Sequence, residues 1–193
     1  MQKIERPESN QPMPAHAKRV FKGVVFDVYQ WDQQMYDGTT ATFEKIKRAD
    51  TAVVFPVLPD GRILLIDQEQ PGKRAFIGAP CGRVKEGEDI LEGAKRELLE
   101  ETGYEAKEFV LWHAEQPISK IDWAVFTFVA KGCKKVAEMN LDAGEKIKLR
   151  PVTFDEFIEL GCTEAFSEKE IVFKLQEARA FPEKKEALRK LFS

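Results

Sequence analysis

The chain has 193 residues, of which 43% are hydrophobic and 33% charged, so it is long enough to bury a sizeable core as one domain or as one domain with an arm. Its formal net charge of −3 gives no broad cationic field, which argues against a protein that grips nucleic acid through many phosphate contacts. Three widely spaced cysteines, no C-x-x-C pair and only two histidines argue against a disulfide framework or a structural zinc site.

The N-terminal sequence, MQKIERPESNQPMP, is polar and rich in proline, and it lacks the apolar stretch of a secretory signal. No later stretch approaches the length that a bilayer-spanning helix needs. We therefore expect residues 1–17 to form a flexible arm. We also expect a cytoplasmic protein with neither nucleic acid nor membrane among its partners.

Two strands are predicted after the arm. β-Branched and aromatic residues from Arg19 to Tyr29 predict the first strand. The turn-forming pair Asp37-Gly38 then leads into a second strand from Thr39 to Ile46. Residues 18–48 are therefore expected to form an antiparallel strand pair ahead of the main domain.

The main domain is expected to span residues 49–180 and to mix strands with helices. A turn at Pro59-Asp60-Gly61 separates strands at residues 52–55 and 63–66, and a helical period runs from Asp89 to Thr102. Further strands are predicted at residues 109–112, 123–130 and 146–152, and further helices at residues 153–160, 168–178 and 183–191. This order predicts an α/β (α+β) fold, with a mixed sheet in an α/β/α sandwich and a C-terminal helical tail at residues 181–193.

One face of the helix at residues 89–102 is predicted to carry carboxylates. At about 100° per residue, Glu97 and Glu101 lie close together, with Glu100 on the adjoining side. The face that packs into the core consists of Leu91, Ala94, Leu98 and Thr102. Three ionised carboxylates so close repel one another, and a hard divalent cation such as Mg²⁺ would relieve that repulsion.

Two neighbours of these glutamates fit this interpretation. Gly93 falls on the side of Glu97, where the missing side chain would leave room for a metal or a phosphate. Arg96 can pair with Glu100 one turn later and fix its orientation. On charge patterning alone, however, a solvated and charge-laced helix face is the more common case, by about three to one.

The spacing of the residues around these glutamates is far more specific than their charge. Residues 82–104, GRVKEGEDILEGAKRELLEETGY, match every fixed position of G-x5-E-x7-R-E-U-x-E-E-x-G-U, where U is a bulky apolar residue and Tyr104 is a loose fit. The odds of a chance match are below about one in a million. The segment resembles the Nudix box, and the resemblance covers most of the chain, from about Val20 to Ala178.

Three features outside the box resemble the ADP-ribose and nucleoside-diphosphate-sugar pyrophosphatases of that family. These relatives carry an N-terminal strand pair, which they often exchange across a homodimer. They place a turn like Pro80-Cys81-Gly82 at the start of the box, and the backbone carbonyl of its middle residue, here Cys81, reaches the metal. A late loop supplies a further glutamate, which Glu145 resembles.

The chain also departs from these relatives. Gly78 stands where they usually have a glutamate, and Gln68-Glu69-Gln70 stands where they usually have Gln-Tyr-Arg, so their substrate cannot simply be copied across. The second acidic position of the late loop, often proposed as the general base, falls on Ala143. The remaining candidates for the general base are Glu145, Asp142 and Glu138.

The resemblance implies a hydrolase in which a metal-activated water attacks one phosphorus of a pyrophosphate, with Mg²⁺ or alternatively Mn²⁺ neutralising the phosphate oxygens. The implied substrate is a small nucleotide, namely a nucleoside diphosphate linked to another group, such as ADP-ribose or an NDP-sugar. Glu97 and Glu101 would bind the metal directly, and Glu100 would bind it or hold its ligands. The other expected contributors are Glu88 as support for the loop or a further cation, Arg96 as an orienting group, and Glu145 as a further ligand or base.

Candidates for binding the substrate are three cations beside the box and one aromatic residue. Arg74, Lys73 and Arg83 could neutralise a second phosphate, with odds of about one in three for each, because charged loop residues are usually only solvated. Trp31 could stack on a base, but strand aromatics pack a sheet or a dimer seam about twice as often.

Two alternative functions stay open. The first is a Nudix-like module that senses a nucleotide without cleaving it; the intact box glutamates argue against this, because such sensors often lose one or more of them. The second is a Nudix enzyme that acts on nucleoside triphosphates or dinucleotide polyphosphates. Enzymes that cleave the triphosphates are commonly shorter and lack the N-terminal strand pair.

Overall fold

The structure, a computed structural model, describes residues 4–193 and contains both strands and helices. The strands are β1 (Lys18–Lys22), β2 (Asp27–Gln34), β3 (Thr40–Lys47), β4 (Thr51–Pro56), β5 (Ile63–Glu69), β6 (Phe76–Gly78), β7 (Cys81–Arg83), β8 (Tyr104–Glu105), β9 (Glu108–Glu115), β10 (Ile121–Asp122), β11 (Val125–Lys131), β12 (Lys134–Lys135) and β13 (Lys146–Val152). The helices are α1 (Ile90–Thr102), α2 (Phe154–Gly161), α3 (Lys169–Ala180) and α4 (Pro182–Leu191). Within residues 4–193, no helix is long and apolar enough to cross a membrane.

Strand β4 lies at the centre of the fold and is buried on both faces. It pairs in parallel with β11 and antiparallel to β7, and β9 completes this four-stranded mixed sheet. Alternate side chains of β4 enter two separate cores, with Val53 and Phe55 on one side and Ala52 and Val54 on the other. Such an unbroken apolar run is typical of a strand that is covered on both faces.

Helices cover both faces of this sheet. Helix α1 packs on one face through Ala94 and Leu98, while α2, α3 and α4 pack on the other. The sheet β13-β5-β6 contributes Ile63 and Leu65 of β5 to the core that also contains Val53 and Phe55. The predicted α/β (α+β) class, with a mixed sheet between layers of helices, is confirmed.

The C-terminal helix α4, which the sequence predicts as a tail, is part of the core. Leu188 and Phe192 are only 8% and 5% exposed. The ring of Phe192 lies 5.5 Å from that of Trp112 and 6.3 Å from that of Phe55, between centroids. The sequence of this segment is highly charged, so it does not indicate that Phe192 is buried. The rings that Phe192 contacts belong to strands far away in the chain.

The prediction of one N-terminal strand from Arg19 to Tyr29 is wrong. This stretch forms two strands, β1 and β2, joined by a tight turn in which the Gly23 N–H donates to the Phe26 carbonyl at 3.0 Å. A Cβ on Gly23 would lie 2.5 Å from that carbonyl oxygen, so the turn requires glycine. The expected strand pair is therefore an antiparallel sheet of three strands, β1-β2-β3, extended in parallel by β10.

Residues 4–17, expected to be a flexible arm, contain neither helix nor strand but are tied to the folded domain. Arg6 forms ion pairs with Asp50 and Asp122, both at 2.8 Å. Lys45, which is only 2% exposed, donates a hydrogen bond to the Ser9 hydroxyl at 2.8 Å. These contacts hold the segment along the domain. Met1 to Lys3 lie outside the described residues.

The end of helix α1 offers a test of this packing. Gly103 has a φ of +74°, and a Cβ there would overlap the carbonyl oxygen of Ala137. We expect Gly103→Ala to lower the free energy of unfolding by about 2–4 kcal/mol, because a clash with backbone is added to left-handed strain of about 1 kcal/mol. Gly61→Ala is the matched control, since Gly61 has a φ of +82° with nothing within 4 Å of its Cβ position. Urea denaturation measures both variants, and equal losses would contradict the prediction.

Candidate active site

Helix α1 is fixed at both ends, and this fixes the direction of its glutamates. The Asp89 carboxylate caps the N-terminus by accepting from the Leu91 N–H at 2.9 Å, and left-handed Gly103 ends the helix. Ala94 and Leu98 are fully buried against β4 and β11. The rotation of α1 is thereby set, and the box glutamates are turned toward the strand β7.

The turn before the box brings backbone into direct contact with these glutamates. The Cys81 N–H donates to Oε2 of Glu101 at 2.9 Å, while the preceding Pro80 carbonyl accepts from Val54 of β4 at 2.9 Å. A Cβ on Gly82 would overlap the carboxylate of Glu97. Only glycine at this position leaves room for the Glu97 carboxylate beside β7.

Arg96 holds three glutamates at once. It binds Glu88 through two parallel hydrogen bonds, from Nε at 2.8 Å and from Nη2 at 2.9 Å, and its Nη1 contacts Glu97 at 2.7 Å and Glu100 at 3.0 Å. Nη2 also donates to the backbone carbonyl of Arg83 at 2.9 Å. This bidentate pairing lowers the pKa of Glu88 to about 2 and raises the pKa of Arg96. The predicted contact between Arg96 and Glu100 is present, and the orienting role of Arg96 stays a prediction.

Glu101 is a buried acid and Glu97 a half-buried one, and the pKa of each is raised. Glu101 is 3% exposed, and burial raises its pKa to about 9, with the charges of Glu97, Glu145 and Glu168 adding to the shift against the opposing Cys81 hydrogen bond. Burial also raises the pKa of Glu97, opposed by Arg96 and assisted by Glu100 and Glu145. Without a cation, both carboxyls therefore hold a proton more readily than an exposed glutamate does, and Arg96 opposes this at Glu97.

A divalent cation fits this cluster of oxygens. Carboxylates and a backbone carbonyl are the ligands that Mg²⁺ and Mn²⁺ prefer, and the space kept by Gly82 leaves the Glu97 carboxylate in place beside the turn. Among residues 4–193, no three acidic, cysteine or histidine side chains already converge into a metal cage. A cation here would therefore complete its shell with water and substrate oxygens, which is usual for Mg²⁺.

The late loop carries the three general-base candidates. The charge of Glu145 adds to the rise in the pKa of both Glu97 and Glu101 that burial causes, and within the loop its Oε2 accepts from the Asp142 N–H at 3.4 Å. The loop is closed by a hydrogen bond from the Glu145 N–H to the Asp142 carbonyl at 2.9 Å. Glu138 instead points into solvent, with 92% of its side chain exposed beside Lys135.

The cations predicted to bind substrate lie on two sides of the box. Lys73 stands over the ring of Phe76, 3.4 Å from its centroid, and its charge partly offsets the rise in the pKa of Cys81 that burial and nearby carboxylates cause. Arg74 follows it in the same exposed loop. Arg83 lies on the opposite side, where it lines a cavity of about 800 Å³ between the N-terminal sheet and the box.

Trp31 does not present a stacking surface in this structure. It is 6% exposed, its ring packs edge-on against Phe43 with centroids 6.0 Å apart, and its indole N–H donates to Gln33 at 3.1 Å. Both flat faces are thus taken up in the sheet of β2 and β3. Trp31 therefore packs within the protein, as the preference of strand aromatics already favoured, and is not placed to stack on a base.

The expectation that Gly93 leaves room for a metal is wrong. A Cβ on Gly93 would lie 3.1 Å from Oε2 of Glu88 and 3.4 Å from Val84, so glycine here admits the loop at the start of the box. Gly82, from another part of the chain, makes the room beside Glu97. Helical geometry alone could not reveal which chain segment covers that side of α1.

Sequence reasoning missed two residues at this site. Arg48 stacks on Trp123, with its guanidinium carbon 4.8 Å from the ring centroid, and lines the cavity beside Arg83. Its Nε is buried without a hydrogen-bond partner, and burial together with the charge of Arg83 lowers its pKa. Glu168 begins α3, and its charge raises the pKa of Glu101. No local pattern marks either residue, since each reaches the box only through the tertiary fold.

Comparisons with known proteins agree with this geometry. Residues 47–189 match the family model described as the NUDIX domain. The chain is 30% identical over 146 residues to an ADP-ribose pyrophosphatase of Bacillus subtilis (strain 168), covering 74% of this chain and 79% of the relative. It has the same identity over 146 residues to a methanol dehydrogenase activator of Bacillus methanolicus, covering 74% and 78%. A solved structure of an ADP compounds hydrolase shares the fold, with a TM-score of 0.70 at 20% identity over 90% of this chain and 95% of that one.

The Arg96 cluster predicts a pH-dependent loss of stability. Removing its guanidinium in Arg96→Gln leaves Glu88 and Glu97 mostly buried and unpaired, so we expect the free energy of unfolding at neutral pH to fall by about 2–4 kcal/mol. The pKa of Glu88 is held below its ordinary value of 4.5, at about 2. Its contribution is therefore present above pH 4.5 and lost as the pH falls toward 2.

Urea denaturation of the metal-free protein between pH 2 and 7 would measure this difference. The gap between wild type and Arg96→Gln should shrink as the pH falls through that window. Arg62→Gln, which removes an arginine from an exposed pair with Asp60, is the matched control and should be nearly neutral. A gap that stayed constant down to pH 2 would contradict the assignment to Glu88.

Proposed function

This chain belongs to the Nudix family, and from that premise we propose that it is a hydrolase that cleaves the pyrophosphate bond of ADP-ribose or a related nucleoside diphosphate sugar. The observation that carries the proposal is the cluster of buried and half-buried carboxylates at the box. Burial raises the pKa of Glu101 and of Glu97, and neighbouring carboxylates add to both shifts, although Arg96 is in direct contact with Glu97. Carboxyls with raised pKa values are typical of functional sites, and these would be stabilised in their ionised form when a cation binds together with a phosphate.

We propose Mg²⁺ as the cation, with Mn²⁺ as a substitute, held by Glu97, Glu101 and Glu100 and by the Cys81 backbone carbonyl. When bound, the cation supplies neutralisation of the pyrophosphate oxygens and lowers the pKa of the attacking water. Glu145 is the proposed acceptor of the proton from that water, because its charge already acts on Glu97 and Glu101. Arg96 keeps the glutamates in position and touches no reacting atom.

The proposed substrate class has support from both the relatives and the cavity. The Bacillus subtilis relative is an ADP-ribose pyrophosphatase. The cavity beside the box has a volume of about 800 Å³, within the usual range for nucleotide-sized ligands. Arg48 and Arg83 are among the cations that line it, together with carboxylates such as Asp50 and Glu88, and the Nε of Arg48 has no hydrogen-bond partner.

A substrate panel tests this function. ADP-ribose, GDP-mannose, UDP-glucose, a dinucleotide polyphosphate and a nucleoside triphosphate would each be incubated with the protein in Mg²⁺ and in EDTA. We expect cleavage of ADP-ribose or an NDP-sugar in Mg²⁺ and none in EDTA. Preferential cleavage of triphosphates or dinucleotides would reassign the substrate, and tight binding without turnover would support a sensor.

Variants of the box assign that activity to its glutamates. Glu97→Gln and Glu101→Gln should each lower kcat by about 100-fold or more, because they remove charge needed at the phosphate while leaving the core intact. Glu92→Gln is the matched control on the same helix, since Glu92 pairs with Lys95 on the exposed face. Thermal melts show whether each variant is folded. Wild-type kcat in folded Glu101→Gln would refute the assignment.

We propose that the protein forms a homodimer through its N-terminal sheet. Within the described residues, β1 pairs with β2 on one side and with no strand on the other, so its edge is open to pairing. The adjoining hairpin carries exposed apolar side chains, including Phe21 at 59% and Val24 at 98% exposure. An open strand edge beside an apolar patch is suited to pairing with a second copy of the same strand.

Light scattering on a sizing column tests this interface. We expect a dimer for the wild type and a monomer for Val24→Asp, because a charge at this exposed position would be desolvated in the interface without a partner. Tyr36→Asp is the control, since Tyr36 is fully exposed on a different hairpin, between β2 and β3. A wild-type monomer, or a dimer that tolerates Val24→Asp, would exclude this surface.

We propose the cytoplasm as the location. Cys81, Cys133 and Cys162 are all free thiols, which a reducing compartment preserves. Burial and the charges of Glu101, Glu168 and Glu97 raise the pKa of Cys81 well above its ordinary value, so this thiol stays protonated beside the carboxylates.

A further inference from the structure

Glu168 is a buried carboxylate that belongs to neither the box nor the late loop. It stands at the start of α3, its side chain does not cap that helix, and it is 5% exposed. The segment before it runs alongside β6, where Ile77 donates to Ala165 and Ser167 donates to Ile77, both at 2.9 Å. These backbone bonds carry Glu168 past the end of β6 toward the turn before the box.

Only one oxygen of this carboxylate is satisfied. The Ser167 hydroxyl donates to Oε1 at 2.5 Å. Burial raises the pKa of this carboxyl to about 7, and the Ser167 hydroxyl and the backbone of Ala79 oppose that rise. Oε2 is buried and has no hydrogen-bond partner. Because a buried carboxylate oxygen without a partner is costly, its presence calls for a ligand that supplies positive charge.

The chain keeps space for this carboxylate. A Cβ on Gly78 would lie 2.7 Å from Oε1 and 3.2 Å from Oε2 of Glu168, and it would also overlap the Ser167 hydroxyl. Any other residue at position 78 would displace the Glu168 side chain. Gly78 therefore has the same relation to Glu168 that Gly82 has to Glu97.

Glu168 acts on the same groups as the box glutamates. Its charge raises the pKa of Glu101 and of Cys81, which are joined by the hydrogen bond from the Cys81 N–H to Glu101. Burial raises the pKa of Glu168 itself, and the negative charge of Glu170 adds to that rise. Glu168 crowds Gly78 at one end of the turn, and Glu101 accepts from Cys81 at the other end, so both carboxylates approach the same four-residue segment.

We propose that Glu168 is a further cation-binding carboxylate of this site, which holds the divalent cation together with Glu101 through its free Oε2, either directly or through one water. The inference rests on the proposed function, because it assumes that the box glutamates bind a cation. It assigns a ligand that lies outside both the box and the late loop. The matching requirement for glycine at position 78 follows from the same geometry.

Calorimetric titration of the metal-free full-length protein with Mn²⁺ tests the role of Glu168. We expect Glu168→Gln to weaken Mn²⁺ binding by about 10-fold or more, since loss of a ligand or of its supporting group typically costs 10–100-fold in affinity. Glu164→Gln is the matched control, because Glu164 lies on the same segment but is exposed. Glu168→Asp, which keeps the charge but withdraws the oxygen, should give an intermediate affinity.

The outcomes separate this inference from the proposed function. If Glu101→Gln abolishes Mn²⁺ binding while folded Glu168→Gln binds as the wild type does, the role of Glu168 is refuted and the proposed site stands. If both variants bind Mn²⁺ normally, the proposed site itself fails. A lower melting temperature with unchanged Mn²⁺ affinity would make Glu168 a purely structural residue. If Glu168→Gln does not fold, Glu168→Asp decides, since wild-type affinity in that variant would overturn the proposal.

Discussion

The packing of Ala94 and Leu98 against β4 and β11 is the constraint on which the rest of the site depends. These two side chains are fully buried, so α1 cannot rotate without opening a core that the central sheet shares. Their burial turns Glu97 and Glu101 toward β7. The apolar core therefore holds buried acids in place, and its packing energy offsets their repulsion.

On the side of these acids that faces the turn before the box, glycines allow the backbone to approach the carboxylates closely. Gly82 admits the Glu97 carboxylate, and Gly78 admits that of Glu168, each where a Cβ would overlap or crowd a side chain of the site. Both glycines lie on short strands that flank the turn at residues 79–81. Two glycines four residues apart thus let the carboxylate of Glu97, on α1, and that of Glu168, just before α3, approach one turn.

The glutamates of the site differ in how much positive charge each one contacts, and this difference suits the proposed chemistry. Arg96 satisfies Glu88 fully and shares itself with Glu97 and Glu100, while Glu101 receives a single backbone N–H. The carboxylates nearest the turn are the ones that we propose bind the cation. Arg48 and Arg83 lie instead in the neighbouring cavity, where we propose that they face an anionic substrate.

The sequence by itself determined the extent of α1 to within one residue, the box spacing and the run of β13, because these depend on residues close together in the chain. It also indicated that Arg96 pairs with Glu100, one helical turn away. Only the tertiary structure decided which segments cover α1, so Gly82 replaced Gly93 as the residue that makes room. It likewise turned one predicted strand into two, buried Phe192 in the core and delivered Glu168 to the site. Local patterns cannot reveal such contacts, because they arise when segments that are distant in sequence are packed together by a shared core.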